Sequence, residues 1–206
     1  MQIADRPIGN RRLLVMAGII SSLTLIGGCS ATIRPKLPEN RASLSQTAPQ
    51  AGGVGLAAVK DARSGTSGGG IGAAGVEIQS DLGDYVHNSF ASALARKGLQ
   101  VTDTKQTVAA PGVKQTVVVT VQSASVSTID AILQPATVNV GLAVQVYDPA
   151  EKVIFAENYS GSTRETLGIH GQAGYDENTG RLVAAAADSA IEQALSDPKF
   201  QTAING

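Results

Sequence analysis

The stretch Ala136-Thr137-Val138-Asn139-Val140-Gly141-Leu142-Ala143-Val144-Gln145-Val146-Tyr147 decides the fold. Val138, Val140, Leu142, Val144 and Val146 fall on alternate positions, while Asn139, Gln145 and Tyr147 lie on the positions between them. Successive side chains of a strand point to opposite faces, so this pattern predicts a sheet strand with one apolar face. Upstream, Thr116 to Val126 also alternates: Val117, Val119 and Val121 face one way, and Thr116, Thr120 and Gln122 the other, apart from Val118. Downstream, Asp148-Pro149-Ala150-Glu151 supplies a turn into Lys152 to Thr163, where Val153 and Phe155 begin a third strand. Strands joined by so short a loop run antiparallel. The apolar face then needs a cover.

Two helices are predicted to supply it. Leu82, Val86, Phe90 and Leu94 recur every four residues with Ala91 and Ala93 beside them, which makes one buried stripe. Ser80 or Asp81 caps the start of this helix, Arg96 and Lys97 complement its negative end, and Gly98 supplies the left-handed stop. A second helix from about Thr179 to Leu195 carries Leu182, Val183, Ala186, Ala187, Ala190, Ile191, Ala194 and Leu195 on one face. Asp197-Pro198 ends it, and Phe200 with Ile204 seats a last helical turn on the core.

Val54 to Lys60 reads as an additional first strand, ended by Asp61-Ala62-Arg63 and the glycine-rich loop Gly65 to Gly70. The order β-α-β-β-β-α predicts an α+β domain over 54–206, with a mainly antiparallel four-stranded sheet and both helices on one face.

The N-terminal region is of a different kind. Arg6, Arg11 and Arg12 precede an apolar run of fourteen residues, Leu13 to Ile26, with the layout of an export signal. As a helix this run would span roughly 21 Å, short of the ~30 Å hydrocarbon core of a bilayer. Leu25-Ile26-Gly27-Gly28-Cys29 resembles the lipobox of bacterial lipoprotein signals. Small residues beside the scissile bond admit a membrane protease between Gly28 and Cys29, and a thiol is needed to take the diacylglyceryl group. The resemblance implies a signal peptide at 1–28 and lipid attachment at Cys29. A diacylglyceryl group plus an N-acyl chain anchors the protein without spanning the membrane. Ser30, in place of Asp, resembles the signal for transfer to the outer membrane. Residues 29–53, with Pro35, Pro38 and Pro49 and no regular period, read as a disordered tether that reaches roughly 70 Å when extended.

Composition narrows function. The 206 residues hold one cysteine, which excludes a disulfide within the chain, and 16 basic against 17 acidic groups, which gives no positive field for nucleic acid. Aromatic residues are 3% with no Trp, too few for a stacking platform. Gly70-Ile71-Gly72-Ala73-Ala74-Gly75 spells a dinucleotide fingerprint but lacks the immediate strand and helix which that chemistry requires. His87 and His170 are the only histidines, in no metal-binding spacing, and Asp81 with Asp84 suits a helix N-terminus better than acid/base work. The reading is therefore no enzyme, no cofactor and no metal. Ile129, Ile132 and Leu133, with Leu167 and Ile169, are apolar residues in connections after strands; they are either tucked under the core or offered to a partner.

The lipobox, the polar tether, Asp61-Ala62-Arg63, the helix closing at Gly98-Leu99-Gln100-Val101, the alternating strands and the final Asp197-Pro198-Lys199-Phe200 together resemble the YajG family of bacterial lipoproteins. The likeness covers roughly Val54 to Ile204, and the long glycine-rich loop departs from it. It implies an outer-membrane lipoprotein facing the periplasm, with no catalytic residues to carry over. The function expected is a non-catalytic envelope protein that binds another envelope protein. The alternative is an accessory lipoprotein of a lipid or lipopolysaccharide transport machine, which requires an apolar groove between sheet and helices.

Overall fold

The computed structural model describes residues 32–33, 37, 53–63, 68–69, 77–78, 81–104, 112–127, 135–166 and 171–206. Its elements are β1 (Thr32–Ile33), β2 (Gly53–Ala57), β3 (Lys60–Asp61), β4 (Gly68–Gly69), β5 (Glu77–Ile78), α1 (Leu82–Arg96), β6 (Val101–Thr104), β7 (Val113–Ser127), β8 (Pro135–Tyr147), β9 (Val153–Thr166), α2 (Gly171–Ser196) and α3 (Pro198–Asn205).

The class is α+β, but the sheet is mixed. Its path runs β6-β2-β7-β8-β9, with β3 and β4 pairing further along β7. β2 lies parallel to both β6 and β7, whereas β7–β8 and β8–β9 are antiparallel. This corrects the expected four-stranded, mainly antiparallel sheet. The reason lies in β2, Gly53-Val54-Gly55-Leu56-Ala57, which is buried at every position. β2 lies between two strand neighbours, β6 and β7, and its burial on both faces is usual for a strand in parallel pairing. One of those neighbours, β6, is the short Val-Thr-Asp-Thr segment that follows α1.

The β7–β8–β9 meander follows the predicted alternation. On β8 every second residue from Ala136 to Val146 is fully buried. β7 changes phase midway: Val117, Val119 and Val121 are buried, then Ala124 and Val126, because the register skips Gln122 between the Val121↔Leu142 and Ser123↔Gly141 pairs. Such a bulge adds one residue and rotates the following side chains to the other face. A second irregularity pairs Tyr147 with Val153 but Val146 with Phe155. Val153 therefore shares the side of Tyr147 and is 42% exposed, a correction to its expected place beside Phe155 in the core.

The helices cover one face and join the sheet in a single apolar core. α1 ends as its sequence predicts: Gly98 takes φ +82°, its N–H donates to the Ala95 carbonyl, and the Leu99 N–H donates to that of Leu94. These two bonds satisfy terminal carbonyls in the Schellman manner. At the other end Asp81 occupies the N-cap position but makes no side-chain capping bond. α2 begins at Gly171, well before the expected Thr179, and runs on through Gly174 and Gly180. The expected last turn is a full third helix, α3, capped by Asp197 and packed through Phe200. The Phe200 ring meets Phe90 and Phe155 edge to face, with centroids 6.0 and 5.6 Å away.

Within the segment read as a tether, Thr32–Ile33 pairs in parallel with Glu77–Ile78, and Leu37 packs against the core.

Candidate functional site

Every site residue named from the sequence lies outside the described residues: Gly28, Cys29, Ile129, Ile132, Leu133, Leu167 and Ile169, together with His170 and the Gly70–Gly75 loop. The structure does place the ends of the connections that carry the apolar ones. Residues 128–134 leave from Ser127 and return at Pro135, and residues 167–170 leave from Thr166, which pairs with Pro135. Both connections thus start at the same end of the sheet.

The surface that the structure itself offers is β9. Among the described residues β9 pairs with β8 and nothing else, so its other side is a free edge fourteen residues long. An unpaired edge is a ready template for a further strand, and proteins manage such edges explicitly. Three features act here. On the side of the helices the edge is tied to α2 and α3: Arg181 pairs with Glu165 at 2.7 Å, Lys199 lies 3.9 Å from Glu157, and the Gln193 amide donates to the Ser160 carbonyl at 3.1 Å. At its centre α2 lies directly on the strand over Gly161. At its start Val153 and Ile154 are the exposed large apolar residues of the described chain.

Towards β9, the sheet face turned away from the helices carries few charges among the described residues, with Lys60 opposite Thr120 at the β3 end of one row. Its cross-strand rows are Val118–Gln145–Ala156, Thr120–Ala143–Asn158, Ser123–Gly141–Ser160 and Ser125–Asn139–Ser162, and Arg164 opposite Thr137 adds a charge towards one end. Short hydroxyl and amide side chains next to an open edge make a flat surface. A partner strand can lie against it without desolvating a charge.

Titratable groups are held for structural purposes. The Tyr159 hydroxyl donates to Asp197 Oδ2 at 2.7 Å and ties β9 to the turn between α2 and α3. Burial first, and then the Asp197 carboxylate, push the Tyr159 phenol up from its ordinary value. The same bond, with the N–H of Lys199, holds the Asp197 carboxyl below its ordinary range. Tyr85 joins α1 to Asp188 of α2 at 2.9 Å, and burial pushes its phenol up to about 12. Asp61 is held low by the Arg63 guanidinium two residues on. His87 Nε2 lies 3.6 Å from Asp103 on β6, while Asp81 and Asp84 are exposed at the start of α1. Among the described residues no group of three His, Cys, Asp or Glu side chains is placed to hold a metal ion.

The space between the layers bears on whether an apolar groove runs between sheet and helices. A Cβ added to Gly161 would lie 1.8 Å from the Ala186 carbonyl oxygen and 2.7 Å from the Ala190 nitrogen. Helix and strand are in backbone contact there, which leaves no room for an acyl chain at that point. An open cleft of about 220 Å³ does lie between the ends of α1 and α3, but Lys97, Gln201 and Asn205 line it beside Leu99, Leu195 and Ile204. It is mixed in polarity and small beside ordinary ligand pockets.

No family model matches the chain and no curated protein does, so the likeness to the YajG family stays with the sequence. Solved structures do resemble it. A Xanthomonas campestris protein of the DUF330 family is 12% identical, with 85% of this chain and 96% of that one covered at a TM-score of 0.46. A minor lipoprotein from Acinetobacter baumannii is 10% identical over 75% of this chain and 96% of its own, TM-score 0.46. A Chlamydia trachomatis protein is 11% identical over 75% and 98%, TM-score 0.47. At this identity and superposition nothing about ligand or partner passes from them to this chain.

Proposed function

We propose that this chain is a non-catalytic lipoprotein of the cell envelope, anchored through Cys29 to the periplasmic side of the outer membrane, and that it binds another envelope protein. The observation that carries the proposal is Leu25-Ile26-Gly27-Gly28-Cys29, placed after three arginines and an apolar run too short to span. Ser30 supports the outer membrane over the inner. The free edge of β9, opening on the exposed Val153 and Ile154, supports strand addition as the mode of binding. The backbone contact at Gly161 weighs against the transport alternative, which calls for a groove at that level of the fold.

Two measurements test it. Cys29→Ser produces an uncleaved or soluble species, and mass spectrometry of the wild-type N-terminus finds an acylated cysteine; an unmodified thiol there defeats the anchor. A photocrosslinking residue at Ala156 captures a discrete envelope protein, whereas the same residue at Glu192, on the outer side of α2, does not. Equal capture at both positions removes β9 as the docking edge.

A further inference from the structure

The segment between the anchor and the domain is far shorter in effect than in sequence. Thr32 pairs with Glu77 and Ile33 with Ile78, in parallel. Four residues beyond Ile78 the chain enters α1 at Leu82, and four beyond Ile33 it reaches Leu37, which packs against the core. Both strands therefore run from their pairing towards the body of the domain. Two backbone pairs alone hold a chain weakly; Leu37 gives the same segment a second attachment.

We propose that this double attachment makes the anchor a short leash, which holds the attached end of the folded domain within about 28 Å of the bilayer surface. The inference rests on the lipid anchor at Cys29 proposed above. With Thr32 paired, only Ser30 and Ala31 separate the acylated residue from the fold, a span of about 10 Å. The path from Cys29 to Leu37 at the core is at most about 28 Å, against roughly 70 Å for a free tether. The attached end of the domain can therefore lift no further from the bilayer than the leash allows.

The test uses the mature lipidated protein in vesicles of phosphatidylethanolamine and phosphatidylglycerol. Acylation consumes the one cysteine, so Asp84→Cys, exposed in the first turn of α1, offers a single thiol for a fluorophore. A lipid-borne acceptor reads its height above the bilayer. Transfer is expected to be strong in this parent. Twenty Gly/Ser residues inserted between Ser30 and Ala31 leave the pairing intact and add about 25 Å of coil, which should lower the transfer at least about twofold. Ile33→Pro, which removes an amide donor from the pairing, should lower it in the same direction; should that variant unfold, the insertion decides alone. Weak transfer in a parent that still floats with vesicles and carries an acylated Cys29 overturns the short leash and leaves the anchor standing. Unchanged transfer after the insertion also overturns it, since some other contact then holds the domain down. A parent that does not float, with an unmodified thiol, overturns the anchor itself.

Discussion

Gly161 of β9 and Ala186 of α2 are in backbone contact: a methyl group on the glycine would have to occupy the space of the alanine carbonyl oxygen, 1.8 Å from it. Neither atom belongs to a side chain that can swing away. The helix must lift or the strand must bend. Gly161→Ala is accordingly expected to cost about 1–3 kcal/mol or more, as overpacking of a closed interface does. Gly141→Ala is the control, because there the obstacle is the terminal oxygen of exposed Ser123, 2.6 Å away and free to rotate. Urea unfolding of both variants checks this, and equal midpoints would contradict the contact.

Phe200 is the link that holds α3 to the core, with its ring edge to face against both Phe90 and Phe155 and no exposed surface. Phe200→Ala should cost about 3–5 kcal/mol, the range for emptying a buried aromatic site. A loss below about 1 kcal/mol in denaturant unfolding would mean that α3 is not part of the cooperative unit.

Asp197 makes stability depend on acid. Its carboxylate accepts from Tyr159 and from the Lys199 N–H, and these bonds hold its folded value below the unfolded one. A depressed carboxyl contributes stability above its unfolded value, about 3.9, and the contribution is lost as pH falls through the folded value. Asp197→Asn should therefore show a shallower decline of the thermal midpoint below about pH 4 than the parent. Identical acid limbs would remove Asp197 from that account.

How much of this was legible beforehand depended on how local the signal was. The four-residue recurrence from Leu82 to Leu94 and the strict alternation of Val138 to Val146 each specify an element within one window, and both elements stand where that pattern put them. β6 offered only Val101-Thr102-Asp103-Thr104, two threonines and a charge, and it becomes a strand because β2 needs a neighbour. Parallel pairing joins residues far apart in sequence, which no window contains. The bulge at Gln122 is likewise invisible in composition, since valines alternating with small polar residues stand on both sides of it. Of the site, the edge of β9 follows from strand order alone. Val153, at its apolar start, was placed with Phe155 because alternation was carried across a register shift.

Val153 and Ile154 should act on binding without acting on stability. Both are 42% exposed, so replacing them together by lysine should leave the thermal midpoint nearly unchanged, as surface substitutions within about ±0.5 kcal/mol do. Capture of the envelope partner from Ala156 should fall severalfold in the same variant. Undiminished capture would place the contact elsewhere.

The position of β2 also sets an order of events in biogenesis. Its residues are synthesised before every other strand of the main sheet, yet they lie between β6 and β7, which come some fifty and sixty residues later. A leading segment that lacks both neighbours has nothing to zip onto, and long-range parallel pairing is intrinsically slow. The nascent polypeptide should thus stay unfolded and threadable until its middle third has emerged, the condition an exporting channel requires of its cargo.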